Sequence, residues 1–282
     1  MRNLRVLAGG LLVMVCFLAA ACGGDDTGQP SPGATETQEG RAFETVEEGV
    51  LTVGSDIPFP PFEFREGGEL TGLDVELVEE MAGRLELEVR WVDTAFDTIF
   101  TQLAAGRFDA VASATTITPE REEQVNFTDP YYLAQQALTV NSEQTPDIQS
   151  IDDLGEGVTV AVQAGTTGEE WVRENLEPEG VEIRSFPEAG DTYTALEAAS
   201  VTAVIFDEPS AIAEAETRPA LEVVETIDTG EEYGFGVDPQ NEALLDALNQ
   251  VLQEIKDDGT YEEIYGRFED LPPGGNIVTG GS

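Results

Sequence analysis

Short apolar runs of strand length alternate with segments of helical periodicity in this chain, and the alternation occurs twice. In the first round, residues 50–53 read as a strand and residues 73–85 as a helix, with Leu73, Leu77, Met81 and Leu85 on one face. Residues 87–92 alternate as a strand, residues 96–105 are helical, and residues 110–113 form a strand after the turn at Gly106. In the second round, residues 158–162 and 203–206 read as strands, and residues 169–175 and 193–199 as helices. Leu103-Ala-Ala-Gly-Arg-Phe-Asp-Ala-Val echoes Leu196-Glu-Ala-Ala-Ser-Val-Thr-Ala-Val. In both, a helix feeds a strand that ends on polar residues. This pattern predicts an α/β chain of two similar lobes with largely parallel sheets. A length of 282 residues suits two such lobes. A strongly periodic helix over 241–257 and a shorter one over 261–268 follow, and the end of the chain reads as a frayed tail.

Composition narrows the chemistry. Apolar residues make up 40% of the chain, enough for real cores. Asp and Glu total 57 against 13 Lys and Arg, a formal net charge of -44, and Lys256 is the single lysine. Such a surface repels nucleic acid and anionic headgroups. It fits a saline medium, where salt screens the repulsion among carboxylates; a lineage-wide bias toward acidic residues gives the same composition. There is no His, so the usual neutral-pH acid/base group and the commonest metal ligand are missing. Cys16 and Cys22 are the two cysteines, both near the N-terminus, so the body carries no disulfide and no thiolate nucleophile. No cofactor, metal site or catalytic residue is expected.

The first 22 residues read as an address. Arg2 and Arg5 precede an apolar stretch too short to span a bilayer comfortably, and it ends Leu18-Ala-Ala-Ala-Cys22-Gly-Gly. Small residues before a Cys resemble the bacterial lipobox, which predicts lipidation of Cys22; an ordinary secretory signal or an uncleaved anchor is the other reading. Leu18 stands four residues before the Cys, one more than the preferred spacing. Residues 23–45 are rich in Gly, Pro, Thr and acids without apolar periodicity, and read as a disordered linker. A coil of that length spans on the order of 25 Å.

In open α/β sheets ligands bind beyond the carboxyl ends of the strands. Ser55-Asp56, residues 113–116, residues 163–167 and Asp207 all stand at such ends. A zwitterionic amino acid would need a planar cationic fork for its carboxylate, carboxylates and hydroxyls for its ammonium, and a shaped, often aromatic pocket for its side chain.

Six motifs supply that set in order: Gly54-Ser-Asp-Ile-Pro-Phe-Pro-Pro-Phe-Glu-Phe64, Gly72-Leu-Asp-Val-Glu-Leu77, Ala105-Gly-Arg-Phe-Asp-Ala110, Thr116-Ile-Thr-Pro-Glu-Arg121, Val125-Asn-Phe-Thr-Asp-Pro-Tyr-Tyr132 and Asp258-Gly-Thr-Tyr261. Through them the chain resembles the family 3 extracellular solute-binding proteins of ABC transporters, the polar amino-acid group, over roughly residues 51–270. The resemblance implies a two-lobed, type II periplasmic-binding-protein-like fold with a ligand cleft between lobes joined by two hinge strands. It implies a first lobe of residues 46–133 and 235–272, a second lobe of 134–234, a flexible tail over 273–282, and hinges near 132–138 and 231–236. Arg121 matches the clamp on the ligand carboxylate. Thr116 matches a residue that offers its N–H to that carboxylate and its hydroxyl to the ammonium. Ala114 matches a carbonyl acceptor for the ammonium, Thr167 a second-lobe N–H donor to the carboxylate, and Asp207 the acid that pairs with the ammonium. Phe59 and Phe96 match aromatics flanking the side chain; Asp56 and Gln163 match positions that touch side chains in some members. In the second lobe, Ala199-Ser-Val-Thr-Ala203 departs from the Gly-Arg-x-Asp-Ala turn of many members.

The resemblance further implies an extracytoplasmic, lipid-anchored monomer that hands a small amino acid to a membrane permease with its ATPase. Two other readings remain at this level. A cyclohexadienyl dehydratase-like enzyme on the same fold would need a carboxyl acid in the cleft, for which Glu63 or Asp74 is available. A ligand-sensing module of a receptor would need a separate signalling partner.

Overall fold

The computed structural model describes residues 43–269 and 271–278. The signal-like residues 1–22, with Cys22, and nearly all of the linker-like stretch lie outside the described residues.

The first lobe opens with β1 (Val50–Ser55), a turn through 58–61 and a hairpin of β2 (Phe64–Glu66) and β3 (Glu69–Thr71). Next come α1 (Leu73–Arg84), β4 (Glu88–Asp93), α2 (Ile99–Ala104), β5 (Ala110–Val111), the single-turn α3 (Pro119–Glu122) and β6 (Asn126–Phe127). The second lobe is built from β7 (Tyr132–Asn141), β8 (Thr159–Gln163), α4 (Thr167–Asn175), β9 (Glu182–Phe186), α5 (Ala189–Glu197), β10 (Ala203–Asp207), α6 (Glu208–Thr217) and β11 (Leu221–Tyr233). The chain then returns to the first lobe as β12 (Gly236–Val237), α7 (Glu242–Asp257) and α8 (Thr260–Tyr265).

Each lobe has a five-stranded sheet, in the orders β4-β1-β5-β12-β6 and β11-β7-β10-β8-β9. All six residues of β1 are buried, as expected of a strand covered on both faces. Val160 to Gln163 and all of β10 are buried as well. These covered strands end at the cleft. Helix α7 presents Leu244, Leu248, Val251, Leu252 and Ile255 as one buried stripe. Each such side chain stabilises the fold by about 1.5–3 kcal/mol in transfer terms. Asn241 starts the helix by accepting from the Leu244 N–H, and Lys256 stands in its last turn. Gly72 precedes α1 at φ 131°, and a Cβ there would sit 2.0 Å from the Phe62 carbonyl oxygen. That close approach packs α1 under the Phe59–Phe62 turn.

The chain crosses between the sheets twice, and the crossings are bonded to each other. Tyr131 N–H donates to the Tyr233 carbonyl at 2.9 Å, and Thr128 N–H to the Phe235 carbonyl at 2.9 Å. The Tyr131 and Phe235 rings stack at 4.3 Å, 5° from parallel. No helix of the described residues is long and apolar enough to cross a membrane.

Three expectations are corrected. The sheets are mixed rather than largely parallel. β1 pairs in parallel with β4 and β5, but β12 runs antiparallel to β5 and β6. β7 likewise runs antiparallel to β10 and β11. The cause is the pair of crossings, which send the chain back through each sheet. Residues 273–278, expected as flexible tail, fold onto the first lobe instead. Leu271 is buried, residues Pro273–Gly275 form a 3-10 turn, and Asn276 pairs with Tyr132 as an antiparallel bridge. At the other end, residues 43–45 do not read as linker. Phe43 packs on the core, and the Glu44 carbonyl accepts from Asn241 Nδ2 at 2.9 Å. Smaller shifts extend α4 back to Thr167 and α5 back to Ala189.

The ordered tail is directly testable. Ile277 of the tail packs half-buried on the core, and Ile277→Ala is expected to lower the unfolding free energy by about 1–2 kcal/mol in urea titration. A change under about 0.5 kcal/mol, as at an exposed site, would mean that the tail is free.

Candidate functional site

Loops at the strand ends of both sheets meet around one small pocket with a cavity volume of about 20 Å³. From the first lobe it is lined by Asp56, Phe59, Phe96, Ser113, Ala114, Thr116 and Arg121; from the second by Gln163, Thr166, Thr167, Phe206 and Asp207. All nine positions singled out in the sequence as ligand contacts line it. Contacts hold the lobes together across it. Gln163 Nε2 donates to Asp56 Oδ2 at 2.6 Å, Arg121 Nη2 donates to the Gly165 carbonyl at 3.2 Å, and the Phe59 and Phe206 rings lie 5.6 Å apart.

Arg121 reaches the pocket from α3. Thr118 caps this turn by accepting the Arg121 N–H at 3.2 Å, and Pro119 supplies the preset first helical residue. The guanidinium is buried, with Arg121 only 9% exposed. Nη1 donates to the Thr116 carbonyl at 2.8 Å, and the group lies 5.3 Å from both the Phe96 and Phe100 ring centres. Among the described residues it forms no ion pair. Burial pulls its pKa below the ordinary arginine value, while the charges of Asp207 and Glu231 oppose that pull.

The acids stand on the other side. Asp207 ends β10 and accepts from Gln136 Nε2 at 2.6 Å and from the Tyr233 hydroxyl. Burial pushes its carboxyl up to about 7, the Glu231 charge adds to the rise, and the two donors work against it. Asp56 follows β1, and its N–H donates to Ser113 Oγ at 3.0 Å. Burial pushes its carboxyl up to about 7 as well, against the bond from Gln163.

A second row of buried acids holds the first. Ala114 has φ 47°, the left-handed region that a residue with a Cβ seldom enters. Its N–H donates to Asp74 Oδ2 at 2.9 Å, and Asp74 also accepts from the Tyr131 hydroxyl. This pair of bonds turns the Ala114 carbonyl and the residues after it. Glu63 accepts from Ser113 Oγ at 2.7 Å. Burial, then the charge of Asp74, raises the Glu63 pKa well above the carboxylate range, and burial raises Asp74 to about 7. Neither acid lines the pocket.

Thr166 caps α4 by accepting the Glu169 N–H at 3.2 Å, which leaves Thr167 as the first helical residue. Its free N–H and those beside it face an anion favourably. Ser113, Thr166, Phe206 and Glu231 were not singled out from the sequence as ligand contacts. Phe206 was visible as the neighbour of Asp207 at a strand end. Glu231 carried no signal, because the acidic run around it does not alternate as a strand.

The model of the bacterial extracellular solute-binding proteins, family 3, matches residues 51–270. The L-cystine-binding protein TcyJ of Escherichia coli is 31% identical over 228 residues, covering 80% of this chain and 85% of that protein. Among solved structures, an ancestral arginine-binding protein bound to arginine is 36% identical with a TM-score of 0.75, covering 78% of this chain and 98% of that one. The structure of an ancestral arginine-binding protein bound to glutamine matches at 36% identity and a TM-score of 0.75, covering 80% and 100%.

Asp207 sets a pH dependence. Its carboxyl is raised from 3.8 to about 7, so its burial destabilises the folded state above about pH 7 and ceases to do so as pH falls toward 4. Asp207→Asn removes that contribution. The unfolding free energy of the variant relative to the parent should therefore be about 2–3 kcal/mol more favourable at pH 8 than at pH 5, at roughly 1.4 kcal/mol per pH unit. An equal difference at both pH values would show that Asp207 is not raised.

Proposed function

The chain belongs to the bacterial extracellular solute-binding proteins, family 3, and from that membership we propose that its pocket takes an L-amino acid with a cationic side chain. The protein is the extracytoplasmic binding component of an ABC importer and captures a polar amino acid by lobe closure. The carrying observation is a buried guanidinium without an anion, facing a buried carboxylate without a cation.

An unpaired buried charge is costly, so each group favours a ligand of opposite charge. In this reading Arg121 clamps the α-carboxylate, aided by the N–H groups of Thr116 and Thr167. The α-ammonium meets Asp207, the Ala114 carbonyl and the Thr116 hydroxyl. Phe59 and Phe96 wall the side chain. A zwitterion neutralises Arg121 and Asp207 and leaves Asp56 uncompensated. A cationic side-chain end would complete the balance by taking the place of Gln163 on Asp56. Structures 36% identical to this chain hold arginine in one case and glutamine in another, so the choice of a cationic side chain rests on Asp56. The two acids the dehydratase reading would use, Glu63 and Asp74, stand behind Ser113 and Ala114 and not in the pocket wall. We read the protein as a binder and not an enzyme.

Closure around the ligand would swing the lobes, residues 46–133 with 235–272 against 134–234, about the two crossings, a population shift supplied by contacts to both lobes. The closed monomer would then dock its permease, tethered to the outer face of the membrane through lipid on Cys22.

Titration calorimetry at pH 8 with L-arginine, L-lysine, L-ornithine, L-glutamine and L-glutamate tests the assignment. At least one cationic amino acid should bind tenfold or more tighter than glutamine, and glutamate should bind least. If none binds better than about millimolar, near -4 kcal/mol, the assignment fails. Arg121→Ala should weaken the best ligand by at least ~3 kcal/mol; unchanged affinity would remove Arg121 from the site. Because Asp207 must ionise to meet an ammonium and is raised to about 7, affinity should also fall as pH drops below 7.

A further inference from the structure

Glu231 stands outside the pocket wall, half-buried near the end of β11, where the chain leaves the second lobe. Its Oε2 accepts from Thr116 Oγ1 of the first lobe at 2.7 Å and from Thr167 Oγ1 of the second at 2.8 Å. Its Oε1 accepts from Gln136 Nε2 at 3.1 Å and from Thr229 Oγ1 at 2.9 Å. Gln136 Nε2 also donates to Asp207 Oδ1 at 2.6 Å. One carboxylate thus joins Thr116 and Thr167 of the pocket wall, one from each lobe, to Gln136, which holds Asp207.

The direction of these bonds matters. A hydroxyl has a single proton and two lone pairs, and a carboxylate can only accept. Once Thr116 and Thr167 have given their protons to Glu231, only lone pairs remain to face a ligand. An ammonium, which only donates, satisfies them. A ligand with a keto oxygen there, or with no polar group, leaves buried acceptors unmet.

We propose that Glu231 is the positioning residue that makes this pocket demand an α-ammonium group, by fixing the Thr116 and Thr167 hydroxyls as acceptors. The proposal rests on the amino-acid reading of the pocket and adds what enforces one end of it. Glu231 also stands close enough to Asp207 and Arg121 for its charge to act on both. It therefore biases the site toward a positive group at this end.

The test is a ratio, which a merely structural role would not move. Calorimetry compares L-arginine with 5-guanidinopentanoate, the same molecule without its amino group, and L-glutamine with glutaramate in the same way. The unaltered protein should prefer each amino acid to its deaminated partner by at least about 100-fold. E231Q places a donor where an acceptor stood and turns at least one hydroxyl around. It should contract that preference at least tenfold, mainly through weaker amino-acid binding, while the deaminated ligand stays within about threefold. E231A, in which water replaces the acceptor, should contract it in the same sense and serves if E231Q does not fold. Equal weakening of both ligands, or no change in either, overturns the proposal while the amino-acid reading stands. If none of L-arginine, L-lysine, L-ornithine, L-glutamine and L-glutamate binds the unaltered protein, the amino-acid reading itself is overturned and this proposal falls with it.

Discussion

A guanidinium carried into the interior without an anion is the constraint to which the site answers. Removing such a group from water costs several kcal/mol, and two carbonyls return only part of it. Arg121 keeps those two carbonyl bonds, to Thr116 and Gly165, and lies against the faces of Phe96 and Phe100. The Gly165 carbonyl belongs to the opposite lobe, so the arginine is fully enclosed only when the cleft is shut. In the proposed reading an incoming carboxylate would remove the penalty and hold the lobes at the same time, so that binding and closure would be one event.

The surroundings keep that charge in place and build its counterpart. Thr118 and Pro119 fix the short α3 that carries Arg121. Asp74 and Tyr131 hold the strained Ala114 backbone, and Tyr131 in turn stacks on Phe235 in the returning crossing. The hinge is therefore bonded to the pocket floor. Asp207 is held by Tyr233 and Gln136, which stand on the two strands that run into the crossings. Four buried acids, Asp56, Glu63, Asp74 and Asp207, all lie above their usual carboxylate range for the same first cause, burial. Two line the pocket and can meet a cation; two lie behind it and orient backbone and serine.

Much of this was legible in the sequence. The α/β alternation, the two rounds and the helix of residues 241–257 follow from apolar periodicity, which burial enforces directly. The nine pocket positions were found through motif resemblance and not through periodicity; Arg121 by itself reads as a surface arginine. Periodicity failed where the pattern is set by the partner strand. β11 carries acids along an edge of its sheet, so its alternation is hidden, and Glu231 was hidden with it. The antiparallel returns were not visible because direction is decided by where the crossings lead. The tail was misread for a similar reason: the run Pro272-Pro-Gly-Gly275 at its start suggests disorder, yet Leu271 and Asn276 have a place to dock on Tyr132 and its neighbours.

The central claim is that Arg121 and Asp207 divide one amino acid between the two lobes. A crystal structure of the protein with L-arginine tests it most directly. The account predicts the α-carboxylate forked on the Arg121 guanidinium, the α-ammonium on Asp207, and the side-chain guanidinium on Asp56 with Gln163 displaced. A ligand bound in the reverse sense, or outside this pocket, would contradict it.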